Sequence, residues 1–190
     1  MELFRDVKPT PLSNLNVSFK PISEVGTEII ETMVQWGKDP DIQELIFPRR
    51  SESAEYVTWT KDSLLKKFNS EHSETSFLIF EGDTPIGEMN YRMDFPLLLK
   101  DQEQTAWIGI TIAEKKYWRQ GIGSQALEHL EKQVFLKGAK RIELGVFEFN
   151  TAAIRFYERS GYGRIGSIPR FVYYRDKMWS DVRMEKLLRA

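Results

Sequence analysis

Two stretches of this chain carry residue types suited to chemistry on anionic and nucleophilic groups. The first runs Ile108-Gly109-Ile110-Thr111-Ile112, then Tyr117-Trp118-Arg119-Gln120-Gly121-Ile122-Gly123-Ser124, and then a helical pattern. A strand, a glycine-bearing turn and a helix start expose backbone N–H groups at the positive end of a helix dipole, a natural seat for phosphate or pyrophosphate. Gly121 and Gly123 let a backbone approach a ligand closely, and Arg119 adds charge-assisted contacts. The same glycines also suit a tight turn that binds nothing. The stretch is not a dinucleotide fingerprint, because Ala126 stands where the third glycine belongs, and it lacks the Gly-Lys-Ser/Thr of a P-loop.

The second stretch is Asn150-Thr151-Ala152-Ala153-Ile154-Arg155-Phe156-Tyr157-Glu158-Arg159-Ser160-Gly161-Tyr162. Asn150 suits an N-cap and Gly161 the position just past a helix end. Asn150, Ala153 and Tyr157 share one helix face. Either a capped helix with core aromatics or a helix presenting a tyrosine to a ligand fits this spacing. The chain has no cysteine, which removes disulfides, thiolate metal sites and a cysteine nucleophile together. Candidates for proton transfer are therefore carboxylates and histidines. Glu88 and Asp94 fall on a predicted strand, His72 in a polar loop, and His129 on the flank of a helix, where it is expected to be solvated.

These residues need a scaffold, and the composition supplies one. The chain has 190 residues, is 41% hydrophobic and 13% aromatic, and balances 27 Lys+Arg against 28 Asp+Glu for a net charge of −1. That is too apolar for disorder and long enough for one well-buried core. Residues 1–12 read as a tail broken by Pro9 and Pro11, and residues 13–190 as one domain. The start lacks the apolar segment of a secretory signal, and no run is long enough to cross a membrane, so a cytoplasmic protein is expected. Charge is uneven within the total. Residues 71–103 hold eight acidic and two basic side chains, and residues 155–177 six basic and two acidic. Two solvated faces would explain this, as would basic groups near phosphates and acidic groups near a cation. An RNA-associated role is disfavoured by the overall balance, so no nucleic acid is expected.

Hydrophobic spacing predicts strands at 15–21, 76–81, 86–95, 106–112, 141–147, 162–169 and 180–187. Helices are predicted from Ser23 to near Gly37, over 52–68, from the glycine turn to Gly138, and over 150–160. Leu127, Leu130 and Val134 form one buried stripe. Residues 38–50, with Pro40 and Pro48, read as a loop. Interleaved helices and strands indicate an α+β (mixed α/β) protein.

The order of strand, Gly-x-Gly turn, helix, strand and then Asn150 to Tyr162 resembles the GCN5-related N-acetyltransferase (GNAT) superfamily. In that family the turn reads Arg/Gln-x-x-Gly-x-Gly/Ala, and here Trp118 occupies the Arg/Gln place. The Tyr117-Trp118 pair and the closing Lys177 to Met184 resemble the branch with ribosomal-protein N-terminal, spermidine and aminoglycoside acetyltransferases. The resemblance implies a central mixed, mostly antiparallel sheet of about six to seven strands flanked by about four helices. It implies acetyl-CoA as donor, no metal, and an amine acceptor: a polyamine or aminoglycoside-like molecule, or a protein N-terminus. Arg119, Gln120, Gly121, Ile122, Gly123 and Ser124, with Trp118, would hold the pyrophosphate. The backbone of Ile110, Thr111 and Ile112 would pair with the pantetheine arm. Asn150 would contact pantetheine, and Tyr157 would protonate the leaving thiolate. A backbone N–H of the Ile108 to Ile110 strand, near a bulge at Gly109, would polarise the donor carbonyl.

Without cysteine, direct attack by the amine replaces a covalent acetyl-enzyme route. Glu88 is the first candidate for the base, with Asp94 or a water as alternatives. Asp39, Asp41 and Glu44 would suit a cationic acceptor. A catalytically silent CoA-binding module on the same fold is the rival reading, and a homodimer is left open.

Overall fold

The computed structural model describes residues 15–69, 74–100 and 102–188. The tail assigned to residues 1–12, and His72, lie outside these. Seven strands form one sheet in the order β1-β2-β3-β4-β5-β7-β6. They are β1 (Val17–Pro21), β2 (Glu74–Glu81), β3 (Thr84–Met93), β4 (Thr105–Ile112), β5 (Arg141–Phe147), β6 (Gly163–Tyr174) and β7 (Lys177–Leu187). All neighbours pair antiparallel except β4 and β5, which run parallel across the helix that joins them.

Among the described residues five α-helices flank the sheet: α1 (Ile29–Lys38), α2 (Pro40–Ile46), α3 (Lys61–Phe68), α4 (Ile122–Leu136) and α5 (Thr151–Arg159). The stretch expected to be a loop at 38–50 contains α2. Pro40 needs no N–H at the first helical position, and the Asp39 side chain caps the Asp41 N–H, so the proline starts a helix instead of preventing one. The helix expected over 52–68 begins only at Lys61, where Thr60 and Ser63 form a reciprocal capping box. The closing strands are longer than expected and meet in a two-residue turn, where Arg175 and Asp176 both take positive φ.

Strand alternation divides the core between the two sheet faces. On one face Ala126, Leu127, Leu130 and Val134 of α4, with Ile154 and Tyr157 of α5, pack on Met89, Tyr91, Ala106, Ile108, Ile142, Leu144, Val146, Val182 and Met184. On the other, Ile30, Met33 and Trp36 of α1 and Leu64 of α3 cover Leu78 and Phe80. Beyond β3 that second face changes character. Its buried side chains on β5 and β7 are Arg141, Glu143, Asp181 and Arg183.

Candidate active site

The site begins where two strands part. β4 and β5 pair only at Thr105–Arg141, Ala106–Ile142 and Trp107–Glu143, while β4 stays paired with β3 out to Ile112 and β5 with β7 out to Phe147. From Ile108 on one strand and Leu144 on the other, backbone edges line a cleft in mid-sheet. An extended chain entering it would find the hydrogen-bonding edge that β4 offers nowhere else. Ile110, Thr111 and Ile112 lie on this edge. Trp118 Nε1 donates to the Ile112 carbonyl at 2.7 Å, so the tryptophan at the Arg/Gln place of the turn fastens the turn to β4. The bulge expected at Gly109 is absent. The β3–β4 register runs unbroken from Gly87 opposite Ile112 to Met93 opposite Ala106, because both strands keep strict alternation there.

The turn leads straight into α4. Arg119 and Gly121 both have positive φ, and Gly121 serves as the N-cap in a left-handed conformation that glycine adopts without the strain a side chain would add. Arg119 is exposed, and Gln120 Nε2 donates to the Lys116 carbonyl at 2.6 Å. Helices α2, α3 and α5 each start on a side-chain cap, whereas α1 and α4 have none. In α4 the Ser124 and Gln125 N–H groups return to the Gly121 carbonyl. The N–H groups of Ile122 and Gly123 remain for an anion, at the positive end of a helix of 15 residues. These features fit the pyrophosphate of a CoA-type ligand.

Helix α5 lies against this start. A Cβ on Gly123 would stand 3.7 Å from Phe156, so the two glycine-turn and tyrosine motifs of the sequence are neighbours in space. Asn150 caps α5, its Oδ1 accepting from the Ala153 N–H at 3.1 Å. Tyr157, 7% exposed, packs edge-on against Tyr162 and beside Phe156. Burial holds its hydroxyl well above the ordinary tyrosine range, so the proton stays on at neutral pH.

On the opposite face of the cleft the sequence marks single carboxylates but not their partners. Glu88 lies there, on β3 opposite Thr111, 6% exposed, with its carboxylate 2.7 Å from Lys67 Nζ of α3. Asp94 sits past the end of β3, where its Oδ1 accepts the Thr105 N–H in a turn. Asp39 and Asp41 both pair with Lys115, joining α2 to the segment before the glycine turn. Glu44 accepts the Tyr56 hydroxyl. His129, expected to be solvated, instead packs between Phe19 and Phe77, with ring centroids at 4.7 and 5.1 Å.

Nearer the cleft, Asp181 on β7 and Asn90 on β3 reach over cleft-lining glycines, an arrangement no local motif announces. Outward along this face runs an aromatic strip. Phe149 stacks on Tyr174 at 4.1 Å and meets Phe147 and Trp179, and Phe147 meets Phe171. The loop after α2 clamps onto the strip's edge. Arg50 stacks on Phe171 at 3.9 Å and donates to its carbonyl, while the Arg49 carbonyl accepts the Tyr173 N–H.

The model of the acetyltransferase (GNAT) family matches residues 42–162. No curated protein matches the chain in sequence. Among solved structures, a GNAT-family acetyltransferase from Streptococcus pneumoniae is similar at 22% identity, covering 91% of this chain and 100% of its own, with a TM-score of 0.68. A spermidine N-acetyltransferase from Vibrio cholerae, in complex with CoA and spermine, is 15% identical over 90% of this chain and 95% of its own, with a TM-score of 0.70. The ribosomal-protein-S18-alanine N-acetyltransferase of Escherichia coli is 17% identical over 89% and 92%, with a TM-score of 0.62.

Proposed function

The chain belongs to the GNAT acetyltransferase family, and on that premise we propose that it transfers acetyl from acetyl-CoA to a primary amine by direct attack, with Tyr157 as general acid. The observation that carries this reading is the parting of β4 and β5 beside an uncapped helix start, with a buried tyrosine alongside. Acetyl-CoA supplies an activated thioester. Arg119 to Ser124 grip its pyrophosphate, Ile110 to Ile112 align its pantetheine as an added strand, and Asn150 holds the arm near the end of β5. Tyr157 keeps its proton until charge develops on sulfur. The burial that raises this hydroxyl also raises a thiolate beside it, which keeps the transfer feasible.

The acceptor side supports an organic amine. Aromatic faces attract cations, as Arg50 on Phe171, Arg175 on Tyr174 and Lys177 on Trp179 illustrate, and Phe147 and Phe149 of the same strip carry no such cation among the described residues. Polyamines, aminoglycoside-like amines and protein N-termini all carry an ammonium group. The test is thiol release from acetyl-CoA with butylamine, spermidine and an alanine-initiated peptide. Turnover with at least one supports the proposal. Tight CoA binding with no thiol release from any amine would make the protein a CoA-binding module instead.

A further inference from the structure

Two glycines that line the cleft are glycine for the same reason, and backbone conformation is not it. Neither Gly109 on β4 nor Gly145 on β5 has a positive φ. Each is overlaid by a polar side chain from the strand behind it. A Cβ on Gly145 would stand 2.6 Å from Asp181 Oδ1 and 2.8 Å from Oδ2. A Cβ on Gly109 would stand 3.3 Å from Asn90 Nδ2 and 3.4 Å from Oδ1. Both side chains lie on the sheet face away from α4 and α5, and they approach the cleft from its two sides, just beyond the last β4–β5 pair at Trp107 and Glu143.

Each keeps polar atoms without a hydrogen-bond partner among the described residues. The Asn90 amide makes no side-chain hydrogen bond among the described residues. Asp181 Oδ2 accepts from Arg183 Nε at 2.8 Å, and its Oδ1, the oxygen nearest Gly145, accepts no hydrogen bond among the described residues. Arg183 is itself fixed, since its Nη1 donates to the Leu97 carbonyl and to Glu143, and its guanidinium stacks on Trp107 at 4.7 Å. The carboxylate is therefore aimed by a rigid partner.

We infer that Asp181 and Asn90 form the seat of the acceptor amine, with Asp181 taking the proton the ammonium must lose and Asn90 orienting the nitrogen. This rests on the acetyl-transfer reading above. One ammonium proton passes to Asp181 and on to solvent. The freed lone pair forms the bond to the thioester carbonyl carbon, the carbon–sulfur bond breaks, and sulfur takes the Tyr157 proton. The second proton shed by nitrogen restores Tyr157. Burial raises the Asp181 carboxyl above its ordinary value, with Glu143 adding to the rise and Arg183 and Arg50 opposing it. A raised carboxyl is a stronger base at the pH where an amine still arrives charged.

The experiment compares wild type, Asp181→Asn and Gly145→Ala with the best acceptor among butylamine, spermidine and an alanine-initiated peptide. At pH 7 Asp181→Asn should lose roughly 10²-fold in kcat/KM, with CoA affinity by calorimetry unchanged. At pH 9.5 the deficit should shrink to less than about tenfold, since more amine then arrives neutral. Gly145→Ala, which crowds the carboxylate aside without removing it, should show the same pH-dependent pattern to a lesser degree, and it decides the question alone if Asp181→Asn fails to fold. A loss equal at both pH values, or no loss, overturns the role. If wild type binds CoA but acetylates no amine, the acetyl-transfer reading falls and takes this one with it.

Discussion

The two faces of the sheet meet at one cleft and are built in opposite ways. On the α4/α5 face every functional position comes from two continuous stretches, Ile108 to Ser124 and Asn150 to Tyr162, and the packing behind them is mainly apolar. On the other face the positions come from single residues on four strands, on α2 and on the segment after β5, backed by ion pairs. The donor side is thus specified by local chain geometry, a turn, a cap and a helix start. The acceptor side is specified by register, by which residue of one strand lies across which glycine of the next. A slip of one residue would leave the first nearly intact and turn the second inside out.

The largest expected effect tests the donor side. Tyr157→Phe should lower kcat by roughly 10²-fold while leaving CoA affinity within about twofold, read by thiol release and calorimetry. Unchanged turnover would reduce Tyr157 to its ring contacts with Phe156 and Tyr162.

The matching effect on the acceptor side is on stability. Glu143 is fully buried and accepts from Arg141, from Arg183 at 3.3 Å and from the Leu99 N–H at 2.6 Å. Arg141 also reaches Glu185 at 2.7 Å and Thr105 at 3.1 Å. Removing one charge from such a buried network leaves the others uncompensated. Glu143→Gln should therefore cost about 3 kcal/mol and lower Tm by roughly 6–12 °C in a thermal melt. A shift under about 2 °C would show that the network is solvated enough to re-pair, and would weaken the case that Arg183 holds Asp181 rigidly.

The difference in construction explains what the sequence disclosed. The run 141–147 was readable as a strand because Ile142, Leu144 and Val146 alternate with other residues. That alternation carries no sign that Arg141 and Glu143, on the other face, are buried. Only the loop through Leu97 and Leu99, folding back over β5 and β7, turns that face into an interior. Gly145 carried no turn signal, and its meaning depends on Asp181, 36 positions away by number and a strand away in space. Pro40 misled in a simpler way, since a proline marks a helix start as readily as a break. Glu88 was readable as a strand carboxylate, but the pairing that brings Lys67 onto it depends on where α3 packs.

That pairing gives the comparison its sharpest test. Glu88 and Asp181 lie on the same face, one on each side of the cleft, and each is one strand removed from it. Lys67 holds one oxygen of Glu88 as Arg183 holds one oxygen of Asp181, but it is Asp181 that lies over the cleft-lining Gly145. Glu88→Gln should lower kcat/KM by no more than about fivefold and leave the pH–rate profile unmoved, far short of the roughly 10²-fold loss expected of a base. A hundredfold loss with an altered acid limb would transfer the proton-accepting role to Glu88 and remove it from Asp181.

The smallest effect concerns a histidine packed into the apolar face. His129 of α4 lies between Phe19 and Phe77, and its buried Nε2 has no hydrogen-bond partner among the described residues. Burial, with Lys132 adding to it, holds its pKa below the usual 6.5, so the folded chain keeps the ring neutral where the unfolded chain takes a proton. The unfolded state binds more protons below about pH 6.5, and stability must fall on acidification through that window. His129→Gln removes the titration while keeping a polar side chain. It should lower Tm somewhat at pH 7.5, through lost ring contacts, and narrow the difference in Tm between pH 7.5 and pH 5.5. An unchanged difference would mean that the ring accepts its proton without leaving the Phe19 and Phe77 contacts. The α4 face would then tolerate charge as the acceptor face does, and the contrast between an apolar donor side and an ionic acceptor side would lose its clearest boundary.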